Sequence, residues 1–247
     1  MKHAILMTAG TSQRLRPLTE KIPKTLLSLG SKTIFESIMD NLRVNGITHV
    51  DLVTGHGHTA VEEAARVYQA AHPDMTLNCL FNDVYDSTGN IISMRKAMDV
   101  IDEDFILINA DTIFHSAILK RLIESPHANA MVVDDVKELG EEEMKVLLHP
   151  EDESITHIHK SLVPGEAHGE YIGVLKLSKD VKEKIITALD QTIARDQSLY
   201  YEDGLQTAIT DHGLTIHPVS TDGLPAMEID THEDLADAKE LIQQIDV

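Results

Sequence analysis

The chain has 247 residues, 42% of them hydrophobic, and this length and apolar content suit one large α/β domain with a sizeable core. Its formal net charge of −20 argues against binding of nucleic acid and against docking on an anionic membrane, because both are polyanions. One cysteine excludes an internal disulfide, and no apolar run reaches the roughly 18–20 residues of a membrane span, so we expect a cytoplasmic protein.

Apolar runs and helical periods alternate through the first half of the chain. Strands are predicted at His3–Thr8, His49–Thr54, Thr76–Phe81, Phe105–Ala110 and Asn129–Val133, and helices at Thr33–Asn45, Asn90–Ile101, Ser116–Ser125 and, capped by Thr59, through Ala71. This alternation predicts a doubly wound, mostly parallel Rossmann-like sheet with helices on both faces. Ligands of such sheets bind beyond the carboxyl ends of the strands, where Gly10, Gly55 and Asp111 lie.

The pattern changes after Asp134, where short strands follow one another with few helices between them. They are predicted at Met144–His149, Ser154–Lys160 and His168–Leu177. This run predicts a small antiparallel insertion or lid. The last elements are helices at Lys179–Leu189 and Tyr201–His212, a strand at 214–219, and an amphipathic helix at Glu233–Ile245.

The first 43 residues form a cationic segment in an otherwise acidic chain. They carry seven Lys or Arg against three Asp or Glu, a net charge of +4. The loop after the first strand lacks both the Gly-Lys-Ser/Thr of a P-loop and the G-x-G-x-x-G of a dinucleotide fold. It still predicts a phosphate site, because the amides of residues 10–14 can face phosphate oxygens, Arg14 offers a fork of donors and Lys24 supplies a point charge.

The stretch from Ala9 to Gly30, AGTSQRLRPLTEKIPKTLLSLG, resembles the signature of nucleotidyltransferases of the sugar-1-phosphate and phosphocholine cytidylyltransferase type. It departs from that signature at Thr8, where alanine is usual, and at Ser12, where glycine is common. Both residues are small, so we expect the loop to keep its shape.

Further segments extend the resemblance over nearly the whole chain. Residues 46–56 are similar to the second strand and turn near the nucleotide base. Residues 81–94, FNDVYDSTGNIISM, resemble a segment of the phosphocholine branch, with Gly89 in place of the first asparagine of a pair. NADTIF around Asp111 and MEID ending at Asp230 resemble the two metal-carboxylate segments, and GEYIGV resembles the acceptor-side strand.

The resemblance implies a single nucleotidyltransferase domain over 1–247, with a nucleotide-binding part at about 1–134 and an acceptor-binding and lid part at about 135–230. It implies Mg²⁺-dependent transfer of a nucleotidyl group, CMP from CTP being favoured, onto a phospho-alcohol or phosphonate with release of pyrophosphate. The implied catalytic residues are Lys24, Arg14 and Asp111. The implied Mg²⁺ ligands are Asp111 and Asp230, and Glu228 is left open as a further ligand.

Binding residues are predicted for both substrates. Nucleotide binding is expected from Thr8, Ala9, Gly10, Thr11, Ser12, Gln13, Arg14, Gly55, Thr88, Asn90 and Ser93. Acceptor binding is expected from Asp111, Lys160, Glu170 and Tyr201. The absence of tryptophan and an aromatic content of 4% weaken a choline cage, which leaves an aminoethylphosphonate-like amine or a polyol phosphate.

Two alternatives stay open: a sugar-1-phosphate uridylyl- or thymidylyltransferase, and a catalytically silent nucleotide-binding regulatory homologue. The expected partners are a nucleoside triphosphate and a small phosphate or phosphonate acceptor, with no nucleic acid and no membrane, and a homodimer is left open. The histidine pairs His56/His58 and His157/His159 have no further converging ligands in the sequence, so no zinc site is predicted.

Overall fold

The computed structural model describes residues 1–245, in which strands and helices alternate as predicted. In this part of the chain no helix has the length and apolarity needed to cross a bilayer. The strands are β1 (His3–Thr8), β2 (His49–Thr54), β3 (Thr76–Phe81), β4 (Phe105–Asn109), β5 (Thr112–Phe114), β6 (Ala130–Asp134), β7 (Lys145–Leu148), β8 (Ile155–His159), β9 (Gly169–Leu177), β10 (His217–Ser220) and β11 (Ala226–Glu228). The helices are α1 (Ile34–Val44), α2 (His58–Ala71), α3 (Asn90–Met98), α4 (Ser116–Glu124), α5 (Lys182–Arg195), α6 (Tyr201–His212) and α7 (His232–Leu241). Asp246 and Val247, which the predicted domain includes, lie outside the described residues.

The main sheet has the strand order β10-β6-β9-β4-β1-β2-β3. Strands β4, β1, β2 and β3 are mutually parallel, as are β6 and β10. Strand β9 runs antiparallel between β4 and β6. Its amino-terminal residues, Gly169 and Glu170, also pair with β7, the first strand of the β7–β8 hairpin. The α/β class with a mostly parallel sheet is therefore confirmed, and the antiparallel part is continuous with that sheet through β9.

Two apolar layers sandwich the sheet, because successive side chains of a strand point to opposite faces. On β1, Leu6 joins the core packed with α1 and α4, whereas Ile5 joins the core packed with α3 and α5. All nine residues of β9 are buried, as expected of a strand in the middle of a sheet that is covered on both faces. The doubly wound arrangement leaves the strand ends as the accessible edges.

Several predicted boundaries are wrong by a few residues. Helix α2 begins at His58, and its N-cap is Gly57, not Thr59. Gly57 has a φ of 61°, and a Cβ there would lie 2.6 Å from Cγ of Pro23, so glycine is required by both conformation and packing. Helix α5 begins at Lys182, because the predicted start at Lys179 forms a separate 3₁₀ turn.

The sequence analysis missed a second, two-stranded sheet formed by β5 and β11. Each strand has three residues, which is too short for hydrophobic alternation to be recognised. The pair is antiparallel, with Thr112 opposite Glu228. This small sheet joins the region after β4 to the segment before α7.

Candidate active site

The loop after β1 is a compact series of 3₁₀ turns with its own anchors. Leu15 is fully buried in the core, so the middle of the loop is pinned to the domain. The Thr19 hydroxyl donates to the carbonyl of Ser12 at 2.7 Å, and the His56 ring lies 2.7 Å from the carbonyl of Thr19. The loop therefore has a fixed shape without regular secondary structure.

Two residues of this loop explain its signature. Ser12 has φ 46° and ψ 51°, a left-handed conformation that favours glycine, which accounts for glycine being common at this position of the signature. At Gly10 the reason for glycine is different. A Cβ there would meet nothing within 4 Å, so no protein contact excludes a side chain. The space beside Gly10 is open to a ligand.

Four charged side chains converge beside this loop. The Lys24 ammonium donates to Oδ2 of Asp111 at 2.7 Å and to Oδ1 of Asp230 at 2.8 Å. The Arg14 guanidinium donates to Oδ2 of Asp230 at 2.6 Å. We call Arg14, Asp230, Lys24 and Asp111 the ion cluster.

The missed sheet is what brings the two aspartates together. With Thr112 opposite Glu228, the amide of Ile229 donates to the carbonyl of Asp111 at 3.0 Å. Asp230 follows directly, at the start of α7. Thr231 is the N-cap of α7, and Asp234, the third residue of that helix, accepts from the amide of Asp230 at 2.9 Å.

The ion cluster contains two cationic and two acidic side chains, so their charges balance. Burial alone would lower the pKa of Lys24, but Asp111 and Asp230 raise it above its usual value. Burial alone would raise the pKa of Asp230, but Lys24 and Arg14 hold it below its usual value. Both partners are therefore ionised at neutral pH.

The carboxylates around the cluster suit a divalent cation. Oδ1 of Asp111 is buried and has no hydrogen-bond partner among residues 1–245, so it retains an unused acceptor. Asp230 and Glu228 lie nearby, and burial together with Asp111, Glu170 and Asp230 raises the pKa of Glu228 well above its usual value. A hard cation such as Mg²⁺, which prefers oxygen ligands, would relieve this accumulation of negative charge.

Two cavities reach the ion cluster, each through different members of it. The first has a volume of about 370 Å³ and reaches Asp111. The second has a volume of about 410 Å³ and reaches Arg14 and Asp230. Each has the size of a small-molecule site. The cluster thus stands between two chambers and can contact ligands in both.

The first chamber is lined by most of the predicted nucleotide residues. They are Ala9, Gly10, Thr11, Thr88, Asn90 and Ser93. Thr8 and Ser12 line a smaller neighbouring cavity of about 210 Å³ together with Lys24. Gln13 and Gly55 do not line these cavities. Gly55 instead packs the two strand-end turns together, since a Cβ there would lie 2.6 Å from the carbonyl oxygen of Ala9.

Residues from the α5–α6 connection also line the first chamber and were not predicted. They are Ser198 and Tyr200. They reach the site because Gly89 lets the connection approach: its amide donates to the carbonyl of Gln197 at 2.8 Å, and a Cβ on Gly89 would lie 1.9 Å from the carbonyl oxygen of Leu199. The replacement of asparagine by Gly89 is thus explained by a close backbone contact.

The second chamber contains Lys160 and Glu170 of the predicted acceptor residues. Tyr201, predicted with them, does not reach it. Tyr201 is fully buried, and its hydroxyl bonds to the Tyr171 hydroxyl at 2.9 Å and to Asn109 at 3.0 Å. Its ring belongs to the core because the first turn of α6 faces the sheet, so the expected direct contact with an acceptor is corrected to a supporting position.

Lys137 and Glu143 line the second chamber, Lys145 anchors the loop that carries Glu143, and none of the three was predicted as a site residue. Lys137 pairs with Glu170 at 2.8 Å and with Glu143 at 3.3 Å. Lys145 is fully buried, and its ammonium donates to the carbonyls of three residues of the acidic loop before β7. A lysine inside an otherwise apolar strand is the signal that could have identified this anchor.

Glu202 is a buried acid behind the two chambers. It is 5% exposed, and its Oε2 has no hydrogen-bond partner in the described part of the chain. Burial raises the pKa of Glu202 to about 7. At pH 5–6 its carboxyl is therefore mostly protonated in the folded state and ionised in the unfolded state.

We expect Glu202→Gln to flatten the pH dependence of stability. A folded-state pKa above the unfolded value of 4.5 means that the folded protein binds the extra proton, so wild-type stability falls as the pH rises from about 4.5 to 7. The neutral amide lacks this loss, which amounts to at most about 3 kcal/mol. Denaturant unfolding of both proteins at pH 5 and pH 8 measures it. The same change at the exposed Glu233 should leave the pH dependence parallel to that of wild type, and parallel curves for Glu202→Gln would contradict the expectation.

The chain is similar to proteins of known family and known structure. A model of the nucleotidyl transferase family matches residues 3–201. The chain is 22% identical over 242 residues to the choline-phosphate cytidylyltransferase of Streptococcus pneumoniae, covering 97% of this chain and 98% of that protein. It is 30% identical over 128 residues to the CMP-5'-(3-aminopropyl)phosphonate synthase of Streptomyces rubellomurinus, covering 52% of this chain and 20% of that longer protein.

A solved structure shares the fold over nearly the full length. The inositol-1-phosphate CTP transferase from T. maritima superimposes with a TM-score of 0.83 at 22% identity, covering 99% of this chain and 96% of that one. The family match spans most of the chain and includes Lys24 and Asp111. The chain belongs to the nucleotidyl transferase family and is a nucleotidyltransferase with cytidylyltransferases among its relatives.

Proposed function

We propose that this protein is a Mg²⁺-dependent cytidylyltransferase that moves CMP from CTP onto a small phosphonate or phospho-alcohol and releases pyrophosphate. One observation carries the proposal: the ion cluster lies between two chambers, one lined by the glycine loop and one by charged side chains. A reaction that joins two anions needs a cationic centre with access to both.

The residues of the ion cluster act by positioning and by charge. An oxygen of the acceptor phosphonate or phosphate attacks the α-phosphorus of CTP, the bond from that phosphorus to the bridging oxygen breaks, and pyrophosphate leaves. The nucleophile is already anionic, so no general base is required. Lys24 bridges the α-phosphate and the acceptor, and Arg14 and the loop amides hold the β- and γ-phosphates.

The metal belongs on the carboxylates of the same cluster. Asp111, whose Oδ1 has no partner among the described residues, and Asp230 would hold Mg²⁺, and Glu228 is close enough in the chain to join them. When bound, the ion would neutralise charge on the α-phosphate and the acceptor. Lys24 now occupies the space between the two aspartates, and its release from them would place its ammonium at the phosphates.

The second chamber favours an acceptor with a primary ammonium group. Seven carboxylates line it against three cations, and no aromatic side chain is among its lining residues in the described chain. A trimethylammonium group is usually held by aromatic faces, whereas a primary ammonium needs carboxylate oxygens. Glu170, which is 7% exposed and paired with Lys137 at 2.8 Å, is the acid that we propose for that ion pair, with the substrate ammonium taking the place of Lys137. The aminoalkyl phosphonate in the name of the Streptomyces relative supports this chemistry.

The division of the chain near residue 134 remains part of the proposal. The first chamber is lined mainly by residues before that point and the second mainly by residues after it. Arg14 belongs to the first part of the chain but lines the second chamber, and Ser198 and Tyr200 belong to the second part but line the first chamber. The two parts would therefore act as one catalytic unit.

Pyrophosphate release with Mg²⁺ tests the proposal across a grid of substrates. CTP, UTP, dTTP, ATP and GTP are each paired with 2-aminoethylphosphonate, phosphoethanolamine, phosphocholine, glycerol phosphate, inositol phosphate and glucose-1-phosphate. We expect turnover with CTP and an amino acceptor, and a weaker rate with phosphocholine.

Other outcomes name the alternatives. Turnover with UTP or dTTP and glucose-1-phosphate would replace the proposal with a sugar-1-phosphate nucleotidyltransferase. Nucleotide binding by calorimetry without pyrophosphate release from any pair would favour the catalytically silent regulatory homologue. A CTP preference with phosphocholine as the best acceptor would keep the reaction and reject the ammonium argument.

A further inference from the structure

Three candidate metal ligands lie together at the amino-terminal edge of the sheet, where β1 and β2 begin. His49 and Asp51 are two residues apart on β2, so their side chains share one face of the sheet. His3 on β1 is the register partner of His49. Two residues at i and i+2 of one strand and a third on its neighbour form a compact triangle on a sheet face.

The triangle is close and mostly buried. One ligand atom from each of the three residues lies within 4.8 Å of the others. Nε2 of His3 is 2.8 Å from Oδ2 of Asp51, and the rings of His3 and His49 have centroids 4.8 Å apart. His3 and Asp51 are 5% and 4% exposed, whereas His49 is half-buried and open to the solvent side.

Outer partners are already in place for His3 and Asp51, and Nδ2 of Asn78 also lies 3.2 Å from Nε2 of His49. The buried Nδ1 of His3 has no hydrogen-bond partner among residues 1–245, and a carboxylate oxygen of Glu103 lies 3.4 Å from it. Asn78, the register partner of Asp51 on β3, donates to Oδ1 of Asp51 at 3.0 Å. Metal-bound histidines donate their second ring N–H to a carboxylate or carbonyl, and metal-bound carboxylates accept further hydrogen bonds.

We propose that His3, His49 and Asp51 form a zinc site. Two imidazole nitrogens and one carboxylate are a donor set that Zn²⁺ accepts, with water in the fourth position. Zn–ligand distances of about 2.0–2.2 Å require the three atoms to draw closer than 4.8 Å, and the half-exposed His49 is the residue that can rotate inward. Asp51 and Glu103 balance the charge of the ion.

The site is separate from nucleotidyl transfer. It lies where β1 and β2 begin, whereas the glycine loop and Gly55 follow the carboxyl ends of the same two strands, six residues on. Bound zinc would tie β1, β2 and the segment before β4 together at the edge opposite the ion cluster. Without zinc, His3 and Asp51 satisfy each other as an ion pair, so the protein folds in either state.

Zinc titration of chelator-treated protein tests the site. Competition with a chromophoric zinc chelator gives the stoichiometry and the affinity, and Co²⁺ provides a second readout because its visible absorption is strong in a four-coordinate site with nitrogen ligands. We expect one equivalent of zinc. Glu103→Gln should weaken it by about 10–100-fold, and His49→Gln by at least as much. Both positions are solvent-accessible, so the variants should fold.

Two further proteins make the result specific. His217→Gln is the matched control, because His217 also begins a strand and its ring stacks on that of His127, with the ring centroids 3.7 Å apart. The zinc affinity of this variant should equal that of wild type. Asp111→Asn should still bind zinc, which separates this site from the active-site carboxylates. Zinc binding that survives His49→Gln and Glu103→Gln, that disappears in Asp111→Asn, or that is absent from wild type would overturn the proposal. Pyrophosphate release by His49→Gln should equal wild type, so a failed zinc site leaves the proposed function standing.

Discussion

Replacing Lys24 with alanine should lower nucleotidyl transfer by about 10²–10³-fold while the protein remains folded. The Lys24 side chain is 11% exposed and bonds both to Asp111, which lines the first chamber, and to Asp230, which lines the second. Its loss removes the cation proposed to bridge the α-phosphate and the acceptor. It also leaves Asp111 and Asp230 facing each other, so we expect a lower melting temperature that Mg²⁺ partly restores.

The measurement is initial-rate pyrophosphate release with CTP and the best acceptor of the substrate grid, alongside circular dichroism and thermal unfolding. Lys21→Ala is the matched control, since it removes an exposed lysine from the same loop. That variant should stay within about twofold of wild type, as expected for a screened surface charge. A folded Lys24→Ala protein with near-normal turnover would remove Lys24 from the catalytic centre.

The first three strands and the loop after β1 could be predicted from sequence, because the apolar runs and the cations that indicate them are close together in the chain. The bounds of β1, β2 and β3 are those that the apolar runs indicate. The cations of the loop are close together in sequence, so a phosphate site could be predicted from them without knowing the fold. Ser12 shows the limit of that inference, because its left-handed backbone is visible only in the structure.

The convergence of Asp111 and Asp230 could not be derived from the residues between them. It depends on β5 and β11, which have three residues each and whose pairing is a tertiary contact. The resemblance identified both aspartates, but the hydrogen bond from Ile229 to Asp111 is the physical cause of their proximity. Short strands that are stabilised mainly by their partner leave no periodic trace in sequence.

Side-chain direction is the other property that the sequence did not fix. Tyr201 and Glu202 are neighbours on α6 and are both buried. Tyr201 forms hydrogen bonds with Tyr171 and Asn109 in the core, whereas Oε2 of Glu202 has no partner within residues 1–245. The zinc site that we propose likewise depends on an arrangement that only the folded chain creates. His3 and His49 are far apart in sequence, and only the register of β1 with β2 brings them together.

Asp111→Asn should also lower turnover by about 10²–10³-fold, and it should do so through the metal. The amide keeps the shape of the side chain but lacks the negative charge that makes a carboxylate the stronger ligand for a divalent cation. The unpartnered Oδ1 of Asp111 is the acceptor that this change affects. We therefore expect a higher Mg²⁺ requirement, and loss of most of the rise in melting temperature that Mg²⁺ and CTP give wild type.

Asp40→Asn is the control that separates this effect from the loss of an ordinary ion pair. Asp40 bonds to Lys32 at 2.8 Å and its side chain is 29% exposed, close to the 2.7 Å and 27% of Asp111 with Lys24. Asp40→Asn should therefore change the free energy of unfolding by about as much as Asp111→Asn does. It should leave turnover and the Mg²⁺ requirement unchanged. If Asp111→Asn kept the wild-type Mg²⁺ response, or if both variants lost activity equally, Asp111 would be a structural partner of Lys24 and the metal would have to be assigned to Glu228 and Asp230.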